Sequence, residues 1–89
     1  MYLVYVMCNF YNQKLRYGVS KNVETLKDEL STNKRFNPKG KNTYSKVVYI
    51  EALQSEKIAK DTVEHMKLQK RYWIDNLITN LNPDWSDLI

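Results

Sequence analysis

The chain has 89 residues, 43% apolar and 12% aromatic, with a net charge of +4 and an isoelectric point near 9.2. That length admits one domain over residues 1–89 with a modest core, and the composition excludes a disordered chain. No apolar run approaches the ~18 residues of a membrane-spanning helix, and a lone cysteine, Cys8, excludes an internal disulfide. The opening YLVYVMC is too short, and lacks the basic flank, for a signal peptide. A cytoplasmic protein with no membrane partner is expected. The basic balance permits nucleic-acid binding without requiring it.

Residues 2–8, YLVYVMC, are β-branched and aromatic without a breaker and read as a buried strand. Cys8 closes that run and reads as a small buried side chain rather than a reactive thiol. NFYNQ (9–13) has Asn at turn positions, and KLRYGVS (14–20) reads as a second strand, so the pair should form an antiparallel hairpin. In NVETLKDEL, Asn22 can cap a helix and Glu24 sits in its first turn, where a carboxylate suits the helix dipole. Val23, Leu26 and Leu30 form one apolar stripe, and the helix should fade near Ser31–Asn33.

Residues 34–46, KRFNPKGKNTYSK, break all periodicity, punctuated by Pro38 and Gly40. The segment holds Lys34, Arg35, Lys39, Lys41 and Lys46 and no acid. It is either a solvated loop or a phosphate-binding one, with Phe36 or Tyr44 able to stack on a base. SKVVYIEAL (45–53) reads as a third strand, with Val47 and Tyr49 on one face and Val48 and Ile50 on the other. Ser55 can cap the next helix. A stripe then runs through Ala59, Val63, Met66, Trp73, Leu77, Ile78 and Leu81, loosening at Lys67–Arg71, which fits two helices or one bent one. Pro83 stops the helix, and Trp85 can fold back, so that both tryptophans, Trp73 and Trp85, pack in the core. His65 has no second His or Cys at metal spacing, so no metal site is expected. The order β-β-α-β-α-α predicts an α+β fold, a three-stranded antiparallel sheet with packed helices.

The order of elements, the opening MYLVYVMCN, the Tyr-Gly before a helix and the closing LNPDWSDL together resemble the GIY-YIG nuclease superfamily, most of all its small single-domain bacterial branch. The resemblance covers nearly the whole chain. It places the first family triplet on Leu3-Val4-Tyr5 and the second on Arg16-Tyr17-Gly18, ten residues apart. Tyr5 then holds the first tyrosine position and Gly18 the glycine position, where the chain is expected to turn into the helix. Asn82, Pro83 and Trp85 belong to the structural ending.

The resemblance also implies a catalytic set, and the chain departs from it. The second family tyrosine falls on Arg16; Tyr17, one step along a strand, points to the other face. The family's phosphate-binding arginine falls on Leu26, and a histidine four residues on falls on Leu30. The metal-binding glutamate falls near Val63, so only a small gap would bring Glu64 or Asp61 to it. Tyr5, Arg16 and Glu64 are thus the vestigial catalytic candidates. No cofactor is expected, or a divalent cation such as Mg²⁺ if activity survives. The resemblance then implies a non-catalytic nucleic-acid binder using Arg16, Lys34, Arg35, Lys39, Lys41 and Lys46. The alternatives are a protein-interaction module acting as inhibitor or decoy, suited to a phage or mobile element, and an active endonuclease with a relocated carboxylate.

Overall fold

A computed structural model describes residues 1–36 and 43–89, with the side chains of residues 34–36 outside the description. Its elements follow the expected order: β1 (Tyr2–Asn9), β2 (Leu15–Ser20), α1 (Val23–Phe36), β3 (Tyr44–Leu53), α2 (Glu56–Lys67) and α3 (Arg71–Leu81). The sheet is antiparallel with β1 in the middle, in the order β2-β1-β3. The architecture is α+β. Strand β1 is buried along almost its whole length because both of its faces are covered. Val4, Val6 and Cys8 point to one side and join Ala59, Val63, Met66, Ile74 and Ile78 of α2 and α3. Tyr5 and Met7 point to the other and join Leu26 and Leu30 of α1. Two small cores therefore lie back to back, split by the period-2 alternation of one strand.

Local chemistry fixes the element ends. Asn22 caps α1, its Oδ1 accepting from Thr25 N at 2.8 Å, and Ser55 caps α2 through Ile58 N at 3.4 Å. The hairpin turn is built by Asn9, whose buried side chain accepts from Gln13 N and Lys14 N, and by Asn12, which takes the left-handed conformation at φ 57°. Cys8 is fully buried, and desolvation pushes its thiol pKa up.

Four expectations are corrected. Helix α1 does not fade at Asn33 but runs to Phe36; Lys34, Arg35 and Phe36 are acceptable helix formers and no breaker precedes Pro38. Strict alternation in β3 fails. Val48 and Tyr49 both join the α2–α3 side, while Val47 and Ile50 join the α1 side, because the register against β1 jumps between Val6↔Tyr49 and Met7↔Val47. Val48 is the extra residue of a β-bulge there. Trp73 is 42% exposed, and Ile74 takes the core position expected of it; Val23, at 42%, and Leu81 also stay outside. Gly18, finally, marks no turn. It lies inside β2 without a positive φ, and its reason is a close approach described below.

The ending NPDWSDL seals the outer edge of β3. Asn82-Pro83-Asp84-Trp85 forms a β-turn with proline in its second position, closed by Trp85 N donating to Asn82 O at 2.9 Å. Trp85 takes φ 53°, half-buries its ring against the α2–α3 core and donates Nε1–H to Thr79 Oγ1 at 3.0 Å. Beyond the turn, Leu88 N donates to Val47 O at 2.8 Å and Asp87 Oδ1 accepts from Val47 N at 3.1 Å. An edge that would otherwise offer unpaired groups at the bulge is thus satisfied by the tail. Asn82 holds the arrangement: it is buried, donates to Val48 O and Ser86 O, and accepts from Ser86 N. Asn82→Ala strands three backbone groups, and net worths of ~0.5–1.5 kcal/mol per bond set a loss of about 2–4 kcal/mol. Thermal denaturation should show a fall of roughly 10–25 °C. A shift of a degree or two would mean that the tail is not anchored through this side chain.

Candidate nucleic-acid interface

Tyr5 lies in the middle of β1, with Gly18 directly opposite on β2. Its ring lies across the glycine: a Cβ there would stand 2.3 Å from the Tyr5 hydroxyl oxygen and 2.4 Å from Cζ. Glycine is required at that point because an aromatic side chain covers its strand. The ring is 3% exposed, and its hydroxyl donates to Glu29 Oε2 of α1 at 2.6 Å. Desolvation first, and then the Glu29 hydrogen bond and charge, push the phenol pKa far above its ordinary range; the Arg16 cation opposes them. A phenol held this way is a hydrogen-bond donor to a carboxylate. It is poorly suited to act as a base near neutral pH, since its phenolate is disfavoured.

Arg16 pairs with Met7, so it stands on the Tyr5 face of the sheet, one residue inside β2, and is exposed. Tyr17 packs on the opposite face, as alternation requires. Leu26 and Leu30, where the GIY-YIG resemblance would expect an arginine and a histidine, are buried against Tyr5, Met7 and Val47. Glu64 is exposed on α2 and pairs with Lys67 at 3.6 Å. Its neighbour Val63 packs on the side of the sheet away from Tyr5, so the structure does not bring Glu64 to Tyr5 and Arg16. The acid that does reach Tyr5 is Glu29, three residues after Leu26, which sequence reasoning missed. No local signal singles it out, because several exposed polar residues flank the Leu26–Leu30 stripe. Among the described residues no group of three or more His, Cys, Asp or Glu side chains is placed to hold a metal ion.

The cations are gathered differently. In this topology the β1–β2 and α2–α3 connections, the end of α1 and the start of β3 all fall at one end of the sheet. Asn9 of β1 pairs with Tyr44 at the start of β3. Tyr44 N donates to Asn33 Oδ1 in the last turns of α1 at 3.1 Å. Arg71, first residue of α3, donates Nη1–H to Gln13 O at 2.8 Å and Nη2–H to Asn12 O, tying α3 to the hairpin turn. The residues of these spans whose side chains are described (9–16, 33, 43–46 and 67–72) hold six of the fourteen Lys and Arg and none of the ten acids. They are Lys14, Arg16, Lys46, Lys67, Lys70 and Arg71; the side chains of Lys34 and Arg35 lie outside the description. Three acids approach from neighbouring turns: Glu64 on Lys67, Asp75 on Arg71 at 2.7 Å, and Asp87 near Lys46. Lys46 also spends one donor on Trp85 O at 2.7 Å. Lys39 and Lys41 lie outside the described residues, and Tyr44 is partly buried against the Tyr5 core rather than free to stack.

Aromatic side chains share this end. Phe10 and Tyr11 project from the hairpin turn, 76% and 56% exposed, in an edge-to-face pair with ring centroids 5.3 Å apart. Tyr72, next to Arg71, is also exposed. Among the described residues no helix is long and apolar enough to cross a membrane. Compared with protein-family models, with curated proteins and with solved structures, the chain matches none.

Proposed function

We propose that this chain is a degenerate GIY-YIG-like domain that binds nucleic acid without cutting it. The observation that carries the reading is the basic end of the sheet: six cations with described side chains, from Lys14 to Arg71, with no acid inside those spans. Such a surface neutralises phosphates and positions a backbone independently of sequence. Arg16 extends it onto the Tyr5 face. The element order, the ten-residue spacing between the two triplets and the NPDW turn support the GIY-YIG resemblance. Loss of cutting rests on Tyr5 being committed to Glu29, on leucines at two polar addresses, and on Glu64 lying on the far side of the sheet.

The test is fluorescence anisotropy with a labelled oligonucleotide across a salt series. With four to six phosphate contacts, log Kd should rise against log salt with a slope of roughly 3–5. The Lys14→Ala/Lys70→Ala variant should lower that slope by about 1–2. Supercoiled plasmid incubated with Mg²⁺ should stay intact. No binding at low salt removes the reading; Mg²⁺-dependent nicking that disappears in Tyr5→Phe replaces it with the active-nuclease alternative.

A further inference from the structure

We infer that the basic end takes its nucleic acid single-stranded, with unpaired bases stacking on Phe10 and Tyr11 at the hairpin tip. The inference rests on the nucleic-acid reading above and adds the form of the ligand. Two large aromatic rings at the tip of a five-residue connection cost solvation and contribute nothing to either core, since neither joins a buried cluster. They are not on a loose tip. Asn9 accepts two backbone N–H groups inside the turn, Asn12 holds the left-handed position, and Arg71 binds two of the turn's carbonyls. The rings are thus presented on a braced support with little ordering entropy left to lose.

Charge complementarity selects the occupant. Lys14 follows the turn directly, Lys70 is next to the Arg71 brace, and Arg16 continues along β2. A phosphate backbone tracking these cations carries bases past Phe10 and Tyr11. In a duplex the bases are already stacked on each other and offer no open face. In a single strand every base has one, and stacking strengthens binding by roughly five- to hundredfold per base without sequence preference. An acidic peptide would satisfy the lysines but would leave two exposed aromatic rings without a stacking partner, so a single strand is the ligand these groups fit together.

The experiment compares labelled oligo-dT of about twenty nucleotides with a duplex of equal length at one salt concentration, using wild type and Phe10→Ala/Tyr11→Ala. Both rings are exposed, so the variant should keep its melting temperature, which is checked first. Wild type should prefer the single strand at least tenfold. The variant should lose roughly 20-fold or more for the single strand and less than twofold for the duplex. Equal binding of both forms, untouched by the substitution but still weakened by salt, overturns stacking and leaves the nucleic-acid reading standing. No binding of either form overturns both, and leaves the aromatic tip as a protein-docking surface.

Discussion

Leu26→Arg, which places a cation where the GIY-YIG resemblance expects an arginine, should unfold the domain rather than create a working site. Leu26 is fully buried, against Tyr5, Met7, Leu30 and Val47. An arginine there must either bury a guanidinium beside Tyr5, whose hydroxyl already holds the nearby Glu29 carboxylate, or push α1 off the sheet. An unpaired buried charge costs several kcal/mol after relaxation, on top of ~2–5 kcal/mol for the lost leucine packing. A domain of this size has only about 5–13 kcal/mol to lose. Circular dichroism should show loss of the cooperative thermal transition, whereas Leu26→Ala should remain folded with a melting temperature lower by roughly 10–30 °C. A folded Leu26→Arg protein that nicks plasmid with Mg²⁺ would mean the position still faces a working site, and the non-catalytic reading would go with it.

How far the sequence foretells this structure depends on the range of the signal. The order of elements, the hairpin and both caps were legible because Asn22, Ser55 and the turn asparagines act over three to five residues. The bulge at Val48 was not, because it is a register event against β1, and nothing inside SKVVYIEAL marks it. Trp73 was misplaced for a related reason. The break at residues 68–70 resets the helical phase, and in the new phase Ile74 and Ile78, four apart, face the core. The Arg71 brace on the hairpin turn spans 58 residues and has no local signature.

The candidate site divides the same way. The strand faces of Tyr5, Arg16 and Tyr17 followed from alternation alone, and burial of Leu26 and Leu30 followed from their spacing. The partner of Tyr5 did not: several polar residues flank the α1 stripe, and only packing decides that Glu29 reaches back. The basic end was half visible. Its longest stretch stood out in the sequence, but the hairpin turn and the α2–α3 connection looked like isolated cations. They become one surface once alternating antiparallel connections bring every second loop to the same end. That inference needs only the element order, so the signal was present and lay in topology rather than in any single motif.

Gly18 gives the sharpest test of how the Tyr5 address is now built. Gly18→Ala adds a Cβ that would stand 2.3–2.8 Å from three atoms of the Tyr5 side chain, distances no real contact tolerates. On an open strand the same change would gain ~0.4–1 kcal/mol from a stiffer unfolded chain. Here the ring is wedged among Met7, Leu26, Leu30 and Val47 and tied to Glu29, so it has no free direction to swing. Overpacking of this kind costs ~1–3 kcal/mol and sometimes more, and displacing the hydroxyl forfeits a charge-assisted bond as well. The net loss should be about 2–4 kcal/mol, read as a lower urea midpoint. Tyr5→Phe should not rescue it, because Cζ at 2.4 Å and Cε2 at 2.8 Å remain in place. Tyr5→Leu should, giving a double variant at least 1 kcal/mol more stable than additivity allows. Additive behaviour would mean that the glycine serves the strand and not the ring. If the coupling is found, Tyr5 and Gly18, which stand at the tyrosine and glycine addresses of the GIY-YIG resemblance, are explained as a packing pair, which needs no catalysis to maintain it.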